Sequence, residues 1–165
     1  MPLIKKQELE KMKQRIYVDT SVIGGCEDEE FSRWSIQLFE EFRQGLKTAV
    51  ISNLTRRELE EAPESVKKIL LSLSDTNIEN VVLTEIAESL AQNYIDDRVV
   101  GARHIADAQH IALASVERVD VLVSWNFQHI VNIDRIHAFN SVNLKLGYPM
   151  LEIRSPREVI HEKEI

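Results

Sequence analysis

The sequence predicts an α/β domain: a central parallel sheet of four to five strands, flanked by helices in three layers. Three observations predict it. Short apolar runs alternate with longer segments of helical periodicity, the pattern of strands joined by crossover helices. The runs at 16–18, 49–51 and 121–123 end in small polar residues, as buried strands do where they leave a sheet. No repeats, low-complexity tracts or domain linkers interrupt the 165 residues, which suffice for one domain with a substantial core.

The elements follow in order. Arg15-Ile16-Tyr17-Val18 runs into Asp19-Thr20-Ser21 and then Val22-Ile23-Gly24-Gly25, a first strand ending in a turn. Asp28 is a candidate N-cap for a helix whose stripe is Phe31, Trp34, Ser35, Leu38, Phe39 and Phe42, with Gly45 as its stop. Thr48–Ser52 is the second strand; the polar segment Asn53–Glu61 is a helix closed by Pro63, and residues 64–73 form an amphipathic helix. Val81-Val82-Leu83 is the third strand, and Thr84 caps a helix over 85–95. The alanine-rich segment 101–118 is the strongest helix, with Ile105, Ala108, Ile111, Ala112 and Ser115 on a packing face. Val119–Ser124 is the fourth strand, followed by a mixed helical stretch to about Asn140 and a short strand at Met150–Ile153. Ser155-Pro156-Arg157-Glu158 is a capping box opening a last helical turn.

Composition bounds the function. Apolar content of 44% and charged content of 28% are those of an ordinary globular protein. The longest apolar runs are too short to span a bilayer, and the N-terminus lacks the apolar core of a signal peptide. A single cysteine, Cys26, rules out an internal disulfide, in keeping with a cytoplasmic location and no membrane partner. A formal net charge of −7 argues against broad electrostatic binding of nucleic acid, though not against an enzyme that holds metal ions in an acidic cleft. The first 15 residues run the other way, with Lys5, Lys6, Lys11, Lys13 and Arg15 against Glu8 and Glu10. This is a basic, helical or frayed arm, most simply a solvated terminus.

Acidic and amide residues recur where strands end or the adjoining helices begin. They are Asp19 after the first strand, Glu58 after the second, Asp107 before the fourth and Asn126 after it. Strand ends of a parallel sheet share one edge, so these groups can converge. Three carboxylates in one cleft repel unless a cation joins them, and all-oxygen donors select a hard ion, Mg²⁺ or Mn²⁺. Such ions bind phosphate oxygens, activate water and stabilise a leaving oxygen. Thr20 or Ser21 can add a hydroxyl beside a phosphate.

Ile16-Tyr17-Val18-Asp19-Thr20-Ser21, Ser52-x-Leu54-Thr55-x-x-Glu58-Leu59, Asp107-Ala108-x-His110-Ile111-Ala112 and Ser124-x-Asn126 resemble, in order and spacing, four motifs of the PIN-domain family. The resemblance covers about residues 12–145, and Met12 sits where many such proteins begin, which implies that 12–165 is the domain and that residues 1–11 are a basic N-terminal extension or a misassigned start. It implies a PIN-like three-layer domain and a metal-dependent endoribonuclease of the VapC-like toxin type. Asp19, Glu58 and Asp107 would then hold Mg²⁺ or Mn²⁺, with Asn126 completing the catalytic set. It also implies an RNA substrate, a homodimer, and an antitoxin inserting into the cleft. The family usually has aspartate where Asn126 stands, in a Thr-x-Asp setting matched here by Ser124, and a further acid where His129 stands. Both departures weaken a second metal site.

Several residues keep a simpler reading. Asp19 can cap a turn. Thr55-Arg56-Arg57-Glu58 matches a capping box in which Glu58 returns to the backbone. Asp107 can pair with Arg103. His104, Asp107 and His110, spaced three and three, spread around the helix, which disfavours zinc. His110 and His129 are packed or hydrogen-bonded histidines, or else orient phosphate or move a proton. Trp125 and Phe127 belong to the core, or offer a face to a base. At the level of function, a catalytically weakened PIN-like module that binds RNA or protein is the alternative, motivated by Asn126 and the negative charge. A haloacid-dehalogenase-like phosphatase needs an acid two residues after Asp19, where Ser21 stands.

Overall fold

Strand β1 (Arg15–Val18) lies at the centre of a five-stranded parallel sheet. The structure is a computed structural model and describes residues 13–161, so the basic extension expected over 1–11 lies outside the described residues. The other strands are β2 (Thr48–Ser52), β3 (Ile78–Val81), β4 (Val121–Val123) and β5 (Ile153–Arg154), in the spatial order β3-β2-β1-β4-β5. Tyr17 sits opposite Val50 on one side and Leu122 on the other.

The period-two alternation of the strands divides the interior. Ile16, Val18, Ala49, Ile51, Val121 and Val123 face one core, and Tyr17, Val50, Leu122 and Ile153 face the other. The first core is covered by α1 (Thr20–Gly24), α2 (Ser32–Arg43) and α4 (Glu64–Leu71); Leu38, Phe39 and Phe42 of α2 are fully buried there. The second is covered by α5 (Glu85–Asp96), α6 (Ile105–Val116) and α7 (Ile133–Lys145), through Leu90, Tyr94, Ile111 and Phe139. Each such side chain contributes on the order of 1.5–3 kcal/mol through burial. Two short helices, α3 (Asn53–Glu58) and α8 (Pro156–Val159), complete the chain. This is the three-layer α/β architecture the alternation predicts.

Several local expectations are realised. Helix α2 ends where Gly45 takes φ +72° and Leu46 N–H reaches back to the Glu41 carbonyl, a left-handed turn that suits glycine. Thr84 caps α5 by accepting from Ala87 N–H at 3.3 Å, and the Ser155/Glu158 capping box opens α8.

Others shift. Asp28 is not the N-cap of α2: its carboxylate accepts from Glu30 N–H in a turn, and Phe31 occupies the cap. The third strand is Ile78–Val81 rather than 81–83. Its register against β2 starts at Ile78, and Val82 is solvent-exposed beyond its end. The strongest helix begins with a 3₁₀ turn at Ala102–His104 before α6 proper. Helix α7 continues past Asn140 to Lys145, because two asparagines satisfy themselves in tertiary bonds. Asn140 brackets the Leu151 backbone as donor (3.0 Å) and acceptor (2.7 Å), and Asn143 donates to Ser115 Oγ at 2.9 Å.

Gly25 is required for a different reason from Gly45. A Cβ there would lie 2.6 Å from Ser35 Oγ and 2.7 Å from Trp125 Nε1, the two atoms joined in the Trp125-to-Ser35 hydrogen bond. Gly25→Ala is therefore expected to destabilise the protein by roughly 2 kcal/mol through overpacking. A thermal melt checks this, and an unchanged Tm would show that the Trp125–Ser35 pair can yield.

Candidate active site

The strand order reverses between β1 and β4, and the crevice beyond such a switch point is where open α/β sheets bind ligands. Asp19 leaves β1 here, its N–H still paired to the Val123 carbonyl at 3.1 Å. Only 6% of Asp19 is exposed. Its Oδ2 accepts from Ser21 Oγ and Ser124 Oγ, each at 2.7 Å. Ser21 Oγ in turn accepts from Trp125 N–H, and Ser124 Oγ from Asn126 N–H, both at 3.0 Å. The hydroxyls thus tie the Asp19 carboxylate to the loop after β4, so its orientation is fixed by both strands. Thr20 does not join: among the described residues its buried Oγ1 has no hydrogen-bond partner.

Helix α6 supplies the next groups. Asp107 and His110, three residues apart, share one face. Asp107 is half-buried, and Asn126 Nδ2 donates to its Oδ2 at 3.4 Å. Burial, and secondly the negative charge of Asp19, hold the Asp107 carboxyl above the usual carboxylate range. The expected pairing of Asp107 with Arg103 is not among the ion pairs of the described residues; Arg103 Nε instead points to His104 Nε2 at 3.4 Å.

His110 is the hub of the site. It is 1% exposed. Its Nε2 binds Glu58 Oε1 and stands 3.7 Å from Asp19 Oδ1; its Nδ1 is 2.6 Å from the Tyr17 hydroxyl. Tyr17 donates onward to Ser52 Oγ (2.8 Å), Ser52 to Thr55 Oγ1 (3.2 Å), and Thr55 to the Val18 carbonyl (3.3 Å). With the Tyr17 proton placed toward Ser52, Nδ1 donates to the tyrosine and Nε2 to the Glu58 carboxylate, so the network favours the imidazolium. Burial alone would lower its pKa, but the hydrogen bond to Glu58 and the charges of Asp19, Glu58 and Asp107 outweigh burial and raise it. Glu58 is accordingly not the closing residue of a capping box. Ser52 caps α3 by accepting from Thr55 N–H at 3.1 Å, and Glu58 turns to the histidine.

His129 lies on the rim. Its N–H donates to Asn126 Oδ1 at 3.0 Å, and its ring stacks on His104 at a centroid distance of 3.8 Å. Its pKa is lowered, first by desolvation and then by His104. Burial pushes the Cys26 thiol up to about 11, away from the thiolate form.

Asp19, Glu58, Asp107, Asn126, Ser21 and Ser124 therefore gather around one crevice. Among the described residues, no group of three or more acidic, histidine or cysteine side chains stands in a metal-holding arrangement. Glu58 is instead paired with His110. The donor set still suits a hard cation chemically. Asp19 Oδ1 and Asp107 Oδ1 accept no hydrogen bond from the described residues, the two acids repel, and their oxygens favour Mg²⁺ or Mn²⁺ over softer ions. Sequence reasoning underrated His110 and passed over Tyr17. The available signal was a tyrosine flanked by apolar residues in a buried strand and a histidine one turn after Asp107 on a buried helix.

Fold and site together define a PIN-like α/β domain with an acidic cluster at its switch point. No family model and no curated protein matches the sequence. Among solved structures, the chain is similar to one from VapBC2 of Rickettsia felis bound to a DNA fragment from their promoter. The TM-score is 0.51 at 14% identity, over 86% of this chain and 98% of that one. The shared property is the fold. Among the described residues, no helix is long and apolar enough to cross a membrane.

Proposed function

We propose that the protein is a metal-dependent endoribonuclease of the VapC-like type. The observation that carries this reading is the convergence of Asp19, Asp107, Asn126 and Glu58 on one crevice at the sheet's switch point. Asp19 and Asp107 would hold Mg²⁺ or Mn²⁺, joined by Glu58 when it leaves His110, with Asn126 as a neutral donor. When bound, the ion supplies a polarised phosphate and an activated water. The chain's own residues do the rest. Ser21 and Ser124 fix the Asp19 carboxylate, and Asn126 fixes Asp107. His110 screens the acids from one another, and once released by Glu58 its Nε2–H is a donor for phosphate oxygens. His129, on the rim, can meet the flanking backbone.

The likeness to a VapBC2 chain supports an antitoxin as partner; the homodimer and the seat of the antitoxin in the crevice are implied by the motif resemblance and belong to the same proposal. In this proposal residues 1–11 are an extension on a single domain spanning 12–165, acting in the cytoplasm. The test is cleavage of RNA by purified protein with Mn²⁺ and with EDTA. Cleavage is expected only with metal; equal cutting in EDTA, or none with Mn²⁺, overturns the reading.

One observation favours a second reading. Glu58 is held by a buried imidazolium, and an amide stands where a fourth acid would. A catalytically weakened module that binds RNA or protein would look the same. Calorimetry separates the two: the nuclease reading expects saturable Mn²⁺ binding in the millimolar range or tighter, whereas the weakened module expects none.

A further inference from the structure

The loop after β4 carries the acid-orienting residues and also a set of aromatic contacts. Trp125 is packed away, 7% exposed, with Phe31 stacked on it at 4.2 Å and 14° and with its indole N–H on Ser35. Little of it meets solvent. Phe127 is open: it is 48% exposed, one residue beyond Asn126, and its ring stands 6.2 Å from Phe31 and 6.1 Å from Trp125. These side chains and Trp34 line a cleft of about 500 Å³, tied to the acids through Asn126, the neighbour of Phe127 in the chain and the donor to Asp107. Arg157 lies over the Trp34 ring at 5.2 Å, and Arg33 flanks the same ring at 5.9 Å. Of the two acids on the lining, Glu158 is occupied by the Ser155 backbone and hydroxyl, and Glu30 lies out at the rim.

We propose that this cleft is a nucleobase subsite, which takes an unpaired base next to the cleaved phosphate and stacks it on Phe127. The inference rests on the nuclease reading and adds the place where an unpaired base of its RNA sits, because a base held in a duplex cannot leave its stack without cost. Three features select a base over an aliphatic ligand. The open wall is an aromatic face; the Arg157 guanidinium, a group that itself stacks on bases and attracts phosphate, lines the cleft; and the backbone runs directly from Asn126 into Phe127. Aromatic stacking of this kind is tolerant of base identity, so the subsite positions the strand without reading sequence strongly.

The experiment measures binding of a short single-stranded RNA in EDTA by tryptophan fluorescence. The chain has two tryptophans, Trp34 and Trp125, and both line the cleft, so a base entering it quenches them. Expected are saturable quenching by the single strand and little by a fully paired duplex. Phe127→Leu, which removes the aromatic face at a half-exposed position, is expected to weaken binding on the order of 10-fold. Phe127→Tyr should bind like wild type. If Phe127→Leu binds and cuts the single strand as wild type does, the subsite is overturned and the nuclease reading stands. If quenching depends on Phe127 but wild type cuts no RNA with Mn²⁺, the subsite stands and the nuclease reading falls. If RNA leaves the wild-type fluorescence unchanged, no base enters, and an aromatic side chain of a protein partner becomes the occupant instead.

Discussion

Asp19→Asn is expected to reduce Mn²⁺-dependent RNA cleavage by at least about 10³-fold, the equivalent of losing several kcal/mol of transition-state stabilisation. The substitution removes one negative charge and almost no volume. An asparagine oxygen can still accept from Ser21 and Ser124, which hold the carboxylate at 2.7 Å each, so the loop after β4 should stay in place. The loss should therefore come without unfolding: Tm should stay close to wild type while Mn²⁺ binding weakens. Cleavage rates and a thermal melt on the same preparation check both halves. An Asp19→Asn protein that cuts RNA at the wild-type rate would falsify the assignment of this carboxylate.

His110→Ala is expected to cause the largest loss of stability at the site, on the order of 2–4 kcal/mol. The ring is buried, and its removal leaves a cavity between α6 and β1. Tyr17 loses its partner on Nδ1, though it keeps Ser52. Glu58 is not stranded, because 41% of its side chain is exposed and water can replace the histidine, which keeps the figure below that of a fully buried ion pair. Asp19 and Asp107 lose the cation that screens them. For a domain of this size the change corresponds to a fall in Tm of roughly 4–15 °C. Because the lost charge sat among carboxylates, Mn²⁺ should raise the Tm of the variant more than that of wild type. A melt in EDTA and in Mn²⁺ measures this; a drop below about 2 °C in EDTA would mean the network carries little of the stability.

What was legible in the sequence follows from periodicity. Strands buried on both faces must be apolar throughout, so 16–18, 49–51 and 121–123 stood out, and β1 to β4 with their crossover helices could be placed in order. The edge strands were harder. β3 and β5 each have one neighbour, so packing constrains their residues less, and the apolar runs at 81–83 and 150–153 missed their true bounds. Helix α7 was cut short at Asn140, because a helix-neutral residue held by a tertiary bond looks like a stop in a linear reading.

The acids were legible for a related reason. A carboxylate directly after a buried strand, or on an alanine-rich buried helix, is conspicuous against its neighbours. Their partners were not conspicuous. Ser21 and Ser124 lie 103 residues apart and meet on one carboxylate only because β1 and β4 are adjacent. Glu58 looked like a cap because its local spacing from Thr55 allowed one, and only the approach of α6 gave it a stronger partner in His110.

By itself, then, the sequence determined the layers, the core strands and the set of acids, since each of these is written in local polarity and spacing. The tertiary structure decided the rest: which acid faces which, that a buried imidazolium stands among them, and that Trp125 is covered while Phe127 is open. Those outcomes depend on strand order and on which helix faces meet, and both are fixed by packing between residues 50 to 105 positions apart rather than by neighbours in the chain.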